Sequence, residues 1–266
     1  MSRSIKGPTG KLVVDDGGTA TGAGPVLFTH SLAGTAGHWT AQLDHARRSR
    51  RAVAFDLRGH GGSEPPRNGE YGITALADDI GAVADALGIE RFTLVGHSMG
   101  AGVALAYAGA HPQRVVRLLL LDSIGDGTQI AAEAFEHLLA GLESSAYQET
   151  IESYWDTITG PNVGVRELLL HDLRATPRMT VVEGFKATMR FDPKPALASY
   201  RGPALAVVTP SNDFPFSIHR LKGGPPHRVI DGTGHWIQLD KPAEVNRILD
   251  NFPKEEKGEG RKEKGK

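Results

Sequence analysis

The sequence predicts an α/β fold, with a mostly parallel central sheet, helices on both faces and a helical insertion above the sheet. Apolar runs of strand length alternate with helical patterns along the chain, and one long stretch interrupts the alternation. The runs are short and almost continuously apolar, as expected for strands that are covered on both faces. They end near positions 30, 57, 96, 122, 210 and 234. Alternation of strands and helices favours parallel pairing with helical crossovers.

Two amphipathic helices support this prediction. The stretch TALADDIGAVADALGI, residues 74–89, places its larger apolar side chains on one helical stripe. The stretch KPAEVNRILDNF, residues 241–252, has the same pattern near the end of the chain. Apolar residues spaced three and four apart indicate a helix that packs one face on a core.

The interruption defines the predicted domain organisation. Residues 127–197 contain helical stripes and no convincing strand, and they are too many for a loop in a compact domain. We therefore predict a core built from residues 1–126 and 198–253, with a helical cap at 127–197. Residues 254–266 are a charged run without apolar side chains, for which we expect disorder.

Composition excludes several classes of protein. Lysine and arginine number 30 against 31 aspartate and glutamate, so no excess of positive charge favours nucleic acid or anionic membrane as a partner. The absence of cysteine rules out disulfides and thiolate nucleophiles. No apolar stretch approaches the ~18 residues of a membrane helix, and no motif points to a metal or a nucleotide cofactor. We expect a cytoplasmic monomer or homodimer that needs no cofactor and no metal.

The stretch RFTLVGHSMGAGVALAYAGAH, residues 91–111, carries the strongest chemical signal. A Gly-X-Ser-X-Gly sequence between a strand and a helix is a nucleophile elbow, in which a strained turn raises the serine above the sheet. Ser98 is the predicted nucleophile. Gly96 and Gly100 flank it because a Cβ there would collide with neighbouring elements, and Gly102 is expected to let the helix approach the sheet.

A nucleophilic serine needs a base, and the base needs an acid that orients it. His235, in GTGHW, directly follows the last strand run and is the predicted base. Asp213 follows the penultimate run and is the favoured acid. Asp122, at the end of an adjacent strand, is the alternative and would otherwise cap a turn.

The oxyanion of an acyl-transfer intermediate requires two donors. The backbone N–H groups of Met99, next to the nucleophile, and of Leu32, in THSLAGTAGHW, are the predicted pair. Aromatic and apolar side chains of the cap, and one beside the base, are expected to line the substrate pocket. These are Trp155, Met189, Phe191 and Trp236.

Four motifs in order, THSLAGTAGHW, DLRGHGGSEPP, GHSMG and GTGHW, resemble the α/β-hydrolase fold superfamily over roughly residues 10 to 253. The resemblance is to single-domain members with a helical cap. It implies a hydrolase that cleaves a small-molecule carboxylic ester or lactone through an acyl-enzyme. Pro210 departs from the glycine that is usual before the acid of this family. His30-Ser31 replaces the usual His-Gly, a variant that is similar to esterases and enol-lactonases.

Other chemistry stays open at this stage. Relatives with the same triad act as carbon–carbon bond hydrolases, as cofactor-free perhydrolases or haloperoxidases, or as lyases. A ligand sensor with very slow turnover is a further alternative. A serine at the elbow argues against the dehalogenases and epoxide hydrolases of this fold, which use aspartate there.

Overall fold

A central sheet of eight strands organises the chain, in the order β1-β2-β4-β3-β5-β6-β7-β8. The computed structural model describes residues 2–19 and 24–252, so the predicted disorder of 254–266 lies outside the described residues. The pairs from β4 and β3 to β7 and β8 are parallel, which confirms the predicted mostly parallel α/β fold. The strand bounds are β1 Ser2–Lys6, β2 Lys11–Gly17, β3 Val26–Thr29, β4 Ala52–Phe55, β5 Phe92–His97, β6 Val115–Leu121, β7 Ala204–Val208 and β8 His227–Val229.

The first two strands form an antiparallel hairpin at one edge of the sheet, which the apolar runs do not predict. The strand β1 is largely exposed, and in β2 only alternate residues such as Leu12 and Val14 are buried. An edge hairpin with one polar face has no continuous apolar run, so the criterion that finds the buried strands passes over it.

Ten α-helices accompany the sheet in the described part of the chain. Their bounds are α1 Thr40–Ala46, α2 Ile73–Ala86, α3 Met99–Ala110, α4 Ala132–Glu143, α5 Tyr147–Ile158, α6 Val163–Ala175, α7 Arg178–Met189, α8 Lys194–Ser199, α9 Ile237–Asp240 and α10 Pro242–Asn251. Both predicted amphipathic helices are present, as α2 and α10. Their apolar stripes are buried, with Ile80 in α2 and Ile248 in α10 as examples.

The sheet separates two apolar cores, which explains why its strands are apolar throughout. In β5, Leu94 belongs to the core that α2, α3 and the cap helices cover. Its neighbour Val95 belongs to the core under α1 and α10. Successive strand side chains point to opposite faces, so a strand covered on both sides must be apolar at every position.

Between β6 and β7, the described residues form helices α4 to α8 and no strand. We call residues 127–197 the cap segment. It is tied to the core by a hydrogen bond of 3.0 Å between His38 Nε2 and Asp172 Oδ2, and by Lys194 Nζ, 2.5 Å from Asp126 Oδ2. The helix α7 comes so close to the core that a Cβ on Gly184 would lie 2.6 Å from the Leu32 side chain. No helix in residues 2–19 and 24–252 is both long and apolar enough to cross a bilayer.

Candidate active site

Four chain segments meet where the parallel strands end. Ser98 follows β5, Asp122 follows β6, Thr209 follows β7, and His235 lies beyond β8. Carboxyl ends of parallel strands lie at one edge of a sheet, the usual place for ligand sites in open α/β sheets. The order of β5 to β8 therefore places these polar side chains side by side.

Ser98 has a backbone conformation that is unusual for a residue with a side chain. Its φ is +54° and its ψ is −119°, at the turn between β5 and α3. The Ser98 N–H donates to the Leu121 carbonyl over 2.9 Å, which ties the turn to the neighbouring strand. Strained backbone of this kind costs on the order of 1–3 kcal/mol and persists where the surroundings fix it. Met99 opens α3, so its N–H is one of the groups that have no partner within the helix.

The flanking glycines are explained by close packing of backbone. A Cβ on Gly96 would lie 2.3 Å from the Gly100 carbonyl oxygen, and a Cβ on Gly100 would lie 2.3 Å from the His30 carbonyl oxygen. Both distances are shorter than real Cβ contacts. The expectation that Gly102 lets the helix approach the sheet was wrong. A Cβ on Gly102 would meet the Phe191 ring of the cap segment, at an ordinary contact distance of 3.4 Å.

His235 is held by a buried carboxylate. Its Nδ1 donates to Asp122 Oδ2 over 2.6 Å, and only 2% of the Asp122 side chain is exposed. The Thr209 N–H donates to Asp122 Oδ1 over 2.8 Å, which fixes the carboxylate. Asp122 also has a positive φ, +43°, so a second strained residue lies next to the elbow. A proton on Nδ1 leaves Nε2 unprotonated, the tautomer that a general base needs.

The prediction that Asp213 orients His235 is wrong. Asp213 accepts from His219 Nε2 over 2.9 Å and from Arg220 Nε and Nη2 over 2.7 and 2.6 Å. The Arg220 guanidinium and the His219 ring hold the pKa of Asp213 well below its usual range. A short 3₁₀ helix, Pro210–Asn212, follows β7 and carries Asp213 to these partners. Asp122 is the residue that contacts the imidazole.

His97 supports the loop that carries His235, residues 230–236, which we call the histidine loop. Its Nε2 donates to the His235 carbonyl over 2.8 Å, and Gln238 Nε2 donates to its Nδ1 over 3.2 Å. With hydrogens assigned in this way, the His97 ring is neutral. Burial lowers the pKa of His97 well below its usual value. His97 therefore positions the loop.

The cap segment also holds the histidine loop. The His235 N–H donates to the Ile158 carbonyl over 2.8 Å, at the end of α5. A Cβ on Gly234 would lie 2.0 Å from the Gly160 nitrogen, and a Cβ on Gly160 would lie 2.4 Å from the Gly234 nitrogen. Glycine on both sides lets the two backbones cross in contact, so the position of His235 depends on the cap segment.

The loop after β3 is anchored by His30. Its Nδ1 donates to the Ser31 carbonyl over 2.7 Å, and the Leu57 N–H donates to its Nε2 over 2.9 Å. Burial lowers the pKa of His30 to about 3, so the ring is neutral and can serve as donor and acceptor at once. Trp236 Nε1 donates to Ser31 Oγ over 3.2 Å. These contacts place Leu32 beside the elbow.

One cavity of about 450 Å³, which we call the elbow cavity, is lined by Ser98, Met99, Leu32 and His235. Of the predicted pocket residues, Trp155, Met189 and Trp236 line it. The prediction for Phe191 is wrong, because this ring packs beside α3 and lines a separate groove between the cap segment and the core. Among the described residues of the elbow cavity there is no lysine or arginine. Within the same described ranges, no group of three or more His, Asp and Glu could hold a metal ion.

The fold and the site together define an α/β protein that carries a serine elbow under a helical cap segment. The family model described as the alpha/beta hydrolase fold matches residues 24–156. The chain belongs to this family, which confirms the resemblance and the prediction of an enzyme of this class.

The activities in the names of individual relatives differ. The chain is 30% identical over 244 residues to the dihydrolipoyllysine-residue acetyltransferase component of the acetoin cleaving system of Cupriavidus necator, covering 86% of this chain and 63% of that protein. It thus spans less than two thirds of that relative's length. Est816, an N-acyl homoserine lactone degrading enzyme, superposes with a TM-score of 0.80 at 25% identity, covering 94% of this chain and all of that one. The esterase EaEST from Exiguobacterium antarcticum shares the fold, with a TM-score of 0.82 at 20% identity and coverage of 95% and 99%.

Proposed function

We propose that this protein is a serine hydrolase that cleaves an uncharged carboxylic ester or lactone through an acyl-enzyme intermediate. The observation that carries the proposal is the strained Ser98 in the elbow cavity, next to a histidine whose Nδ1 is bound by a buried aspartate. Nucleophile, base and orienting acid are the three parts that nucleophilic catalysis by serine requires.

In the first half of the reaction, His235 Nε2 accepts the proton of Ser98 Oγ while that oxygen attacks the carbonyl carbon. The carbonyl oxygen becomes an oxyanion, which the Met99 and Leu32 N–H groups stabilise. Asp122 stabilises the imidazolium that forms. His235 then gives its proton to the leaving alcohol oxygen, the carbon–oxygen bond breaks, and Ser98 is left acylated.

In the second half, water takes the place of the serine. His235 Nε2 accepts a proton from water, and the hydroxide attacks the acyl carbon. Collapse of the second oxyanion breaks the bond to Ser98 Oγ, which takes the proton back from His235. The products are a carboxylic acid and the free enzyme, and a lactone gives both ends in one hydroxy acid.

The lining of the elbow cavity favours an uncharged substrate. Ligand carboxylates are usually met by a guanidinium or an ammonium group, and the described lining offers neither. Asp122 supplies the negative charge of the site, and it would repel an anionic substrate. The similarity to a lactone-degrading enzyme and to an esterase agrees with an ester or lactone.

The test compares hydrolysis of p-nitrophenyl acetate and butyrate by the protein and by Ser98→Ala, with a phosphonate probe that labels activated serines. We expect turnover to fall by about 10⁶ in the variant, the loss that removal of a serine nucleophile causes elsewhere. The probe should modify Ser98 in the parent and nothing in Ser98→Ala. Ser211→Ala removes another hydroxyl from the same cavity and should keep the label.

Two results would contradict the proposal. Unchanged ester turnover in Ser98→Ala would mean that another group is the nucleophile. A labelled Ser98 without turnover of any ester or lactone would mean that the machinery serves other chemistry, and assays with peroxide or with carbon–carbon substrates would follow.

A further inference from the structure

Two phenylalanines line the elbow cavity from the core side. Phe214 and Phe216 stack with ring centroids 5.2 Å apart and planes at 9°. Both line the elbow cavity, yet 46% of Phe214 is exposed. A half-exposed aromatic ring at a cavity is an apolar surface that a ligand can cover.

The loop that carries these rings, residues 209–218, is fixed by hydrogen bonds. The Phe214 N–H donates to Ser217 Oγ over 2.9 Å, and Ser217 Oγ donates to the Asn212 carbonyl over 3.0 Å. Asn212 Nδ2 donates to the Ser123 carbonyl over 2.9 Å, beside the end of β6. The exposure of Phe214 therefore belongs to a held loop, since the backbone on both sides of it is bonded.

The ion pairs of Asp213 complete this framework. Asp213 binds His219 and Arg220, residues that follow the loop, and so closes it on itself. The Phe216 carbonyl accepts from the Asp126 N–H over 2.9 Å, which joins the loop to the core residue directly before the cap segment. The carboxylate that the sequence suggested as the triad acid instead helps to hold the aromatic pair.

We propose that Phe214 and Phe216 form an outer apolar subsite that binds an alkyl or aromatic arm of the substrate. The inference rests on the proposed ester or lactone hydrolysis and adds the substrate class, an ester or lactone with a long apolar arm. The buried side chains of Trp155 and Met189 line the same cavity, so its apolar surface is not confined to the aromatic pair. The arm belongs to the acyl or to the alcohol side, and the experiment separates the two.

The experiment measures kcat/KM of the parent, Phe214→Ala and Phe214→Leu on two ester series. One series is p-nitrophenyl acetate and octanoate, and the other is methyl and octyl butyrate. We expect Phe214→Ala to lower kcat/KM about tenfold for the long member of one series, the range of a lost apolar contact in a pocket. The short members should change by less than about twofold, and Phe214→Leu should retain most of the preference. Met179→Ala is the matched control, since Met179 is 65% exposed on α7 and lies outside the lining.

The outcomes separate the subsite from the proposed function. An effect in the octanoate places the arm on the acyl side, and an effect in octyl butyrate places it on the alcohol side. An equal fall for short and long esters, or no change, would overturn the subsite. If no ester is turned over, the rate at which methyl- and octylphosphonate probes modify Ser98 gives the same comparison without hydrolysis. Equal rates of modification by the two probes in parent and variant would then overturn the subsite by itself.

Discussion

Two histidine–aspartate pairs lie close to the carboxyl edge of this sheet, and their distances are similar. His235 Nδ1 lies 2.6 Å from Asp122, and His219 Nε2 lies 2.9 Å from Asp213. Asp122 is buried and otherwise accepts from the neutral Thr209, whereas 39% of the Asp213 side chain is exposed and it also binds a guanidinium. Arg220 already neutralises Asp213, so that carboxylate has little charge to offer an imidazolium. The comparison teaches that the other partners of a carboxylate, more than its distance from a histidine, decide whether it can stabilise an imidazolium.

Between the two carboxylates, the large effect should come from removing that of Asp122. Asp122→Asn is expected to lower kcat for p-nitrophenyl acetate by about 10³ to 10⁴, because an amide does not fix the productive tautomer of the base. Asp213→Asn is the matched control and should change kcat by less than about threefold. Steady-state kinetics of both variants, with Tm as a check of folding, tests the assignment.

A large loss in Asp213→Asn with normal activity in Asp122→Asn would reverse the two roles. Equal losses would mean that both carboxylates act on the base, and the two pairs would not have separate roles.

The next effect should come from moving the base without touching its charge. A Cβ on Gly160 would lie 2.3 Å from Asp240 Oδ2 and 2.4 Å from the Gly234 nitrogen, so Gly160→Ala must shift one of the two backbones, and we expect the histidine loop to move. We expect kcat to fall by about 10²-fold with KM little changed, the usual result of a misplacement of about 1 Å. Gly160→Ala should disturb the pair of His235 and Asp122 and leave the pair of His219 and Asp213 as it is.

Gly164→Ala is the control for this variant. It lies four residues away in α6, where the nearest atom to a new Cβ is Asn162 Oδ1 at an ordinary 3.5 Å. Its kcat should match the parent. If Gly160→Ala retains full kcat, the cap segment does not position the base.

The sequence predicted the places of Ser98 and His235 in the fold better than it predicted which carboxylate contacts the imidazole. Ser98 lies in a short motif whose glycines have a local cause, and His235 follows the last strand run in a short loop. The acid depends on how the chain leaves a strand. Pro210 begins a 3₁₀ turn that carries Asp213 away, while a positive φ at Asp122 brings that side chain toward His235. Neither backbone conformation has a signature in composition or periodicity.

The fold shows the same division between local and non-local information. The buried strands and helices α2 and α10 follow from apolar patterns, because burial selects those patterns directly. The edge hairpin of β1 and β2 is half exposed and gave no such signal. Composition does not distinguish Phe191 from the cap aromatics that line the elbow cavity, and only the packing of α7 and α8 on α3 decides which side of the cap segment a ring faces.

A buried histidine that binds no carboxylate should make the free energy of unfolding depend on pH. Burial lowers the pKa of His60 to about 3, and its Nδ1 donates to the Arg58 carbonyl. Between about pH 6.5 and pH 3 the unfolded chain binds a proton at this site that the folded protein excludes. The free energy of unfolding therefore falls with falling pH, by about 1.4 kcal/mol per pH unit for one such group.

Urea unfolding at about pH 7 and about pH 5 tests this. His60→Gln should weaken the pH dependence by about 2 kcal/mol over that interval, because the unfolded chain loses one site for proton uptake. His137→Gln changes an exposed histidine on α4 and should leave the dependence as it is. An identical pH dependence in parent and His60→Gln would show that this ring gains its proton in the folded protein as well.

The smallest effect should come from loosening the second pair without removing its aspartate. Arg220→Gln leaves Asp213 bound to His219 but removes the guanidinium that helps to close the loop of Phe214. Exposed ion pairs contribute little and are screened by salt, so we expect at most about a twofold rise in KM for long esters, with kcat and short esters unchanged. The parent should show the same rise at high salt, and the variant should be insensitive to salt. A fall in kcat for acetate would instead connect Arg220 to the His235 pair, and the two pairs would no longer be independent.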